Sequence, residues 1–298
     1  MSAFVDWALN VRNMRSNSVS KLSMLYAAVR HYPALKGIDF KWFSVLLREL
    51  PPDEKDGRKE RRAARLVPYD VLAGVPKQIR QLRDRGCSDA RQLSWLCHDE
   101  LLIALLVTLA WRQRNIRECR IGDPETSNIF YASLPPLVHL AKATWVEEAL
   151  AQNPHQPFWQ FHFREAETKT GHEVRGILPL NLVHILEEYL RDHRPNLIGS
   201  IDPGTLFLNR RGGALDLAKT TNLVAQRFYQ FTGHRVTPHL VRDILAYAWL
   251  DQHSEDYLTV SKVLWHQDIN TTLRIYGRDF DESNGVCRID EWLLSRPL

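Results

Sequence analysis

Residues 237–278, TPHLVRDILAYAWLDQHSEDYLTVSKVLWHQDINTTLRIYGR, concentrate side chains able to handle a phosphate ester. His239 and Arg242 stand three apart, His266 follows a Trp, and Tyr276 lies in a short polar run. On a helix, a spacing of three puts His239 and Arg242 on one face, so both can point at the same anion. Ile244, Leu245, Ala248, Trp249 and Leu250 predict that this helix buries its other face. A buried His and Arg are costly unless something negative satisfies them, and a phosphate would do so.

The stretch resembles the C-terminal box of the tyrosine recombinase (phage integrase) family. That box reads H-x-x-R, then a turn and helix carrying L-G-H or L-G-W, then a Tyr. His239, Arg242, His266 and Tyr276 match in that order. Two positions depart from it: Trp265 stands where the family usually has Gly, and Asp243 follows Arg242 where a His is common. Upstream, RQRNIREC follows the strongly apolar DELLIALLVTLAW (99–111), where the family has R-x-x-E-L after the first long helix of its catalytic domain. The resemblance assigns the first catalytic Arg to Arg112, with Asn115 in the Glu position; Arg114 and Arg117 are the alternatives if the register differs. Residues 157–179 alternate apolar and polar on both sides of Lys169-Thr170-Gly171, a hairpin signature. The family carries a Lys in such a turn, and Lys169 matches it.

Direct displacement at a DNA phosphodiester needs a nucleophile, charge neutralisation on the phosphate, and a proton for the leaving 5′ oxygen. The resemblance implies Tyr276 as the nucleophile, a phenol whose ordinary pKa near ~10 means that it needs help losing its proton. Arg112 and Arg242 are then the always-charged forks for the two non-bridging oxygens. His266 would donate to the same phosphate, and Lys169 would protonate the leaving oxygen. His239 either accepts the tyrosine proton or orients the nucleophile; the sequence leaves both roles open. The implied intermediate is a 3′-phosphotyrosyl ester beside a free 5′ hydroxyl, so rejoining is the reverse attack and no nucleotide, metal or other cofactor is expected. The absence of a P-loop fits that expectation.

These groups come from distant parts of one chain, so a fold must assemble them. At 298 residues the chain has room for two domains. Its 44% hydrophobic and 25% charged content is ordinary for a globular protein, and the pattern is read as having no membrane partner. Cys87, Cys97, Cys119 and Cys287 lack C-x-x-C spacing, which argues against a disulfide framework or a zinc site. Residues 1–65 carry 13 Lys+Arg against 7 Asp+Glu, a balance of +6 in a chain of net +4, so the remainder holds −2. A basic N-terminal part beside a near-neutral body suggests a module that tracks phosphates, and a solvated charged face would look the same.

The expected architecture is mainly α with a small antiparallel β-sheet (α+β), in three parts. Residues 1–50 read as helices, with Phe4, Trp7, Ala8, Val11 and Leu22, Leu25, Tyr26, Val29 at helical spacing; they resemble a shortened core-binding domain of integrases. Residues 51–66 read as a linker whose Arg58, Lys59, Arg61, Arg62 and Arg65 either meet the DNA backbone or form a solvated tether. Residues 67–298 read as the catalytic domain. It starts with a helical pattern through Val71, Val75, Ile79 and Leu82, and treats 99–111 as a core helix. Helices are expected around 180–191 and 216–232, separated by an extended TLFLN (205–209). Val286, Ile289, Trp292 and Leu293 mark an amphipathic tail that docks either on a neighbouring protomer or on its own domain.

The leading expectation is a site-specific recombinase of a phage or other mobile element, acting on double-stranded DNA as a homo-oligomer, a tetramer on paired sites, in the nucleoid-associated cytoplasm. A type IB topoisomerase-like enzyme and a catalytically silent DNA-binding regulator are the alternatives. Target sequence and the direction of recombination are not legible, because base readout depends on side chains in grooves.

Overall fold

The chain divides into two units, Met1–Leu66 and Val67–Leu298. The computed structural model describes residues 67–86, 89–134 and 143–277 of the second. The expectations for residues 1–50, for the linker arginines and lysine (Arg58, Lys59, Arg61, Arg62, Arg65), for Cys87 and Cys287, and for the tail 286–298 lie outside the described residues.

Helices α1 (Tyr69–Ala73) and α2 (Val75–Asp84) open the described region. Their buried stripe is Leu72, Val75 and Ile79, not Val71, Val75, Ile79 and Leu82 as the spacing suggested; Val71 and Leu82 are exposed. Leu72, Val75 and Ile79 are spaced i, i+3, i+7, so the buried stripe runs continuously past Gly74, whose backbone stays in the helical region, and passes through Leu72 rather than Val71. Both helices lie against α3 (Ala90–Leu109), the longest of the described helices. Asp89 caps α3 by accepting from the Arg91 backbone N–H at 2.9 Å. At 20 residues α3 is longer than the apolar run 99–111 indicated, and it is long and apolar enough to cross a membrane. Length therefore cannot decide its role. Burial can: 78% of its most apolar window is enclosed by α2, α6 and α8, making it the core helix of this unit.

α3 also buries Asp99 and Glu100, which would be costly alone. Arg80 reaches Glu100 at 2.8 Å, while Asp99 accepts from His98 Nδ1 at 2.8 Å and Arg227 Nε at 2.7 Å. Leu208 N–H donates to His98 Nε2, so the His98 proton sits on Nδ1, facing Asp99.

Short helix α4 (Gln113–Glu118) follows α3. Strands β1 (Ile129–Ser133), β2 (Pro157–Phe163) and β3 (Val174–Ile177) form an antiparallel sheet in that order, with α5 (Thr144–Gln152) between β1 and β2. Phe161 pairs with Gly176, and a Cβ on Gly176 would lie 2.4 Å from the Phe161 ring. Only glycine leaves that ring its place. The sequence expectation covered β2 and β3 but not β1, whose IFYAS is too short to show alternation.

α6 (Leu180–Glu188) runs into a π-helical turn, Tyr189–His193. Residues 205–209 form isolated bridges, Arg120 with Thr205 and Leu208 with Ala214, and no full strand. Next come α7 (Leu217–Thr232), α8 (Pro238–Gln252), α9 (Tyr257–Val263) and α10 (Ile269–Tyr276). Each begins with a side-chain cap: Asp216, Thr237, Asp256 and Asp268. α8 buries Val241, Ile244, Ala246 and Leu250, whereas Trp249 turns outward and donates to Asp256 at 2.9 Å. The burial expected for Trp249 is thus corrected by a polar partner that keeps its indole N–H near the surface.

Candidate active site

Three chain segments meet beyond the C-terminal end of α3. The first is the exit of α3 itself, where Ala110 adopts φ +48° and ends the helix in the left-handed region. The chain then turns so that Trp111 is buried and Arg112 caps α4. Arg112 Nη2 donates to the Trp265 carbonyl at 3.1 Å, and its Nη1 is buried with no hydrogen-bond partner. The neighbouring arginines go elsewhere: Arg114 Nε reaches Glu118 at 2.8 Å and Arg117 pairs with the same carboxylate.

The second segment is α8, which contributes Arg242. Its side chain is buried, with Nη1 donating to the Ala110 carbonyl and Nη2 to the Leu264 carbonyl at 2.6 Å. Burial, and then the nearby Arg112 cation, pull its pKa down to about 10. Burial also lowers that of Arg112. His239 lies one turn earlier on α8 and is exposed, so it and Arg242 occupy unlike environments.

The third segment is the turn from α9 to α10. Trp265 N–H bonds the Lys262 carbonyl at 3.1 Å and His266 N–H bonds the Ser261 carbonyl at 2.9 Å. That pair of bonds is a Schellman ending, which requires a left-handed residue, and Trp265 supplies it at φ +53°. Glycine suits this position for its conformational freedom. Trp265 holds the strained shape by packing on Phe163 (5.4 Å between centroids) and Trp111 (6.4 Å). Trp111 in turn packs on Phe161 and Phe163 of β2 (5.3 and 4.9 Å). The sheet thereby supports the two residues that flank Arg112 and His266.

His266 Nδ1 bonds the Thr272 hydroxyl at 2.8 Å. Burial, followed by the Arg242 and Arg112 cations, pushes the imidazole down to about 4, so it is neutral near pH 7. Tyr276, the last residue of α10, is buried and its ring stacks on His266 at 6.5 Å and 12°. The Tyr276 hydroxyl donates to Asp243 Oδ1 at 2.8 Å, in a bond buried beside Arg242. Tyr247 meets the same ring edge-on at 5.4 Å.

Lys169 sits apart from this cluster, exposed in the β2–β3 loop. The loop is nevertheless fixed: Asn115 Nδ2 donates to the Glu167 carbonyl at 3.2 Å, and the Glu167 carboxylate accepts from Asn128 and from the Arg164 backbone N–H. Thr168 Oγ1 closes it by donating to the His172 carbonyl at 2.9 Å. Asn115 thus ties the helix after Arg112 to the loop of Lys169.

The structure brings Arg112, Arg242, His266 and Tyr276 into one cluster, while His239 is exposed near the start of α8 and Lys169 lies on a loop tethered to α4. Arg242 is buried and Arg112 half-buried with one N–H unpartnered, and buried Asp243 offsets only one of the two cations, so the site is one that an anion would satisfy. Sequence reasoning noted Asp243 only as a departure from a pattern. A carboxylate in an apolar helix, directly after an Arg, was the available signal that it would be buried and bonded. Thr272 carried no such signal.

Away from this site, Cys97, Glu188 and His193 bring ligand-type atoms within 4.8 Å of one another. A π-turn sets residue 193 over residue 188, which a sequence-spacing argument against metal sites does not consider. The Arg83 guanidinium, 3.0 Å from Glu188, already supplies positive charge there. Burial pushes the Cys97 thiol up to about 12.

No protein-family profile matches this sequence, and no curated protein sequence matches it either. Solved structures do. The Tn1549 transposon integrase in complex with transposon right end DNA superposes with a TM-score of 0.52 at 12% identity, over 97% of this chain and 82% of that one. The XerH site-specific recombinase bound to difH substrate gives 0.48 at 19% identity, over 75% of this chain and 52% of that one. The chain therefore spans about half the length of the XerH chains it matches. At such identities the likeness concerns architecture: the chain has the α+β fold of tyrosine recombinases.

Proposed function

We propose that this chain is a site-specific DNA recombinase that cuts and rejoins double-stranded DNA through a 3′-phosphotyrosyl intermediate. The observation that carries this reading is the pair of arginines from distant segments, Arg112 and Arg242, held beside the Tyr276–His266 stack. An unpartnered buried N–H on Arg112 favours an anionic ligand, and a phosphodiester supplies two non-bridging oxygens.

In this reading Tyr276 Oη attacks phosphorus, the new O–P bond forms, and the bond to the 5′ oxygen breaks. Arg112 and Arg242 neutralise the charge that builds on the non-bridging oxygens. A neutral His266 whose Nδ1 accepts from Thr272 presents its Nε2–H to the same phosphate. Lys169 delivers a proton to the departing oxygen from its tethered loop. The ester conserves the bond energy, so attack by a 5′ hydroxyl reverses the step. The same reading includes a tetramer on paired sites, a mobile-element setting, and a cytoplasmic, nucleoid-associated protein.

Mixing the full chain with a pool of nicked duplexes of randomised sequence tests this. Nicking lets the 5′ fragment escape and traps the covalent protein, which survives SDS. Wild type is expected to form adducts of shared sequence that, when paired on a plasmid, are recombined. Adducts without sequence preference, together with relaxation of any supercoiled DNA, would favour a topoisomerase. No adduct would leave only a DNA-binding role.

A further inference from the structure

We propose that Asp243 is the group that accepts the phenolic proton of Tyr276 during strand cleavage. This inference rests on the recombinase reading above and adds to it a residue that the H-x-x-R pattern does not contain. The supporting geometry is direct. Tyr276 Oη lies 2.8 Å from Asp243 Oδ1, both residues are buried, and because an ionised carboxylate can only accept, the hydroxyl is the donor. His239, the other candidate, is exposed at the start of α8. His266 meets Tyr276 ring to ring, and its Nδ1 is engaged by Thr272.

Charge bookkeeping supports the same assignment. Among the described residues, the groups around the bond include Arg242 and Tyr247 from α8, Arg112 from the α3 exit, His266 from the α9–α10 turn, and Tyr257 of α9 at the edge of the same apolar cluster. With His266 neutral, the two arginines and ionised Asp243 sum to one positive charge. When the proton moves from Tyr276 Oη to Asp243 Oδ1, the carboxylate becomes neutral and its negative charge passes to the phenolate oxygen, so the sum over the cluster is unchanged until Oη bonds to phosphorus. The negative charge leaves Asp243 as it appears on the reacting phosphate, so the arginines are released to the oxygens that need them. The balance is complete: Tyr276 loses its proton to Asp243, the Oη–P bond forms, the P–O5′ bond breaks, and Lys169 protonates O5′.

The test compares wild type with Asp243→Asn, which keeps an acceptor oxygen on the Tyr276 hydroxyl but cannot take its proton. Using the nicked duplexes captured by wild type, single-turnover adduct formation is followed between pH 6 and pH 8. Loss of a positioned base is expected to slow Asp243→Asn by ~10²–10⁴-fold at pH 7. Its rate should climb about tenfold per pH unit toward the phenol pKa near ~10, while wild type varies far less. A merely structural role would lower the rate without that change of slope. A second measurement needs no DNA: with tyrosine labelled at Cζ, the Tyr276 resonance should titrate at lower pH in Asp243→Asn than in wild type, because the adjacent negative charge is gone. Equal rates and slopes in the two proteins, or equal Tyr276 titrations, would overturn the assignment while leaving the recombinase reading intact. Failure of wild type to form any adduct would sink the recombinase reading, and the catalytic role of Asp243 with it.

Discussion

Arg112 and Trp265, 153 positions apart in the chain, are joined by a 3.1 Å hydrogen bond from the guanidinium Nη2 to the indole residue's backbone carbonyl. The direction of that carbonyl depends on the left-handed backbone at Trp265, and the backbone is held by aromatic packing on Phe163 and Trp111. The position of a candidate catalytic arginine is therefore set by the side chain that occupies a glycine-like site.

Replacing Trp265 by Gly sets two effects against each other. Relief of the left-handed backbone is worth ~1–2 kcal/mol, whereas emptying a half-buried Trp site costs ~1.5–2.5 kcal/mol, about half the full-burial value. The packing loss wins narrowly. Trp265→Gly is expected to unfold at lower urea concentration than wild type; a higher midpoint would mean that backbone strain dominates.

Arg242→Lys keeps the charge but cannot bond both the Ala110 and Leu264 carbonyls, which lie on different segments. A buried carbonyl left unpaired costs ~1–3 kcal/mol, and loss of one positioned donor slows such reactions by ~10²–10³-fold. Urea unfolding and adduct formation measured together should both fall. An unchanged unfolding midpoint would contradict the structural role of the guanidinium.

Lys169→Ala separates acid catalysis from folding, because the side chain is exposed and its loop is held by Asn115 and Thr168. Cleavage of a normal phosphodiester should drop by ~10²-fold or more. A substrate with sulfur in place of the leaving 5′ oxygen departs as a thiolate of pKa near ~8.5 and needs little help. Wild type and Lys169→Ala should cleave that substrate at similar rates. An equal defect on both substrates would rule out Lys169 as the proton donor.

Stability should depend on pH through His266. Its folded pKa, about 4, lies below the ordinary 6.5 because burial and two arginines oppose its charge. Between those values the unfolded chain holds a proton that the native one does not. Stability therefore rises with pH across that window and is lost as pH falls through it, by at most ~1.4 kcal/mol per unit from this group. His266→Gln should flatten the profile of unfolding free energy between pH 6.5 and pH 4.5; an unaltered slope would show that other groups govern it.

The fold and the site were legible to different depths. Apolar spacing exposed α3 because its core side chains are continuous, and alternation on both sides of Lys169-Thr170-Gly171 exposed β2 and β3. β1 was missed because five residues carry too little pattern. The α1–α2 stripe was shifted because Val71 and Leu72 both fit the helical spacing to Val75, and only packing selects Leu72. Within the site, residue types at fixed spacing drew attention to His239, Arg242, His266 and Tyr276. What spacing could not carry was pairing in space. The Tyr276–Asp243 bond, the Thr272 contact and the Trp265 left-handed turn arise from tertiary packing, and a linear pattern treats two of those residues as mismatches.

In the proposed reaction the Arg112 and Arg242 cations and the His266 donor surround one backbone phosphorus, with the Tyr276 phenol behind it. Mass spectrometry of the nuclease-trimmed, protease-digested adduct tests this most directly, by locating the nucleotide on a peptide and reading its linkage. A single modified site is expected, Tyr276 esterified to a 3′-phosphate, with no adduct from Tyr276→Phe. A nucleotide attached to any other residue, or an undiminished adduct from Tyr276→Phe, would contradict it.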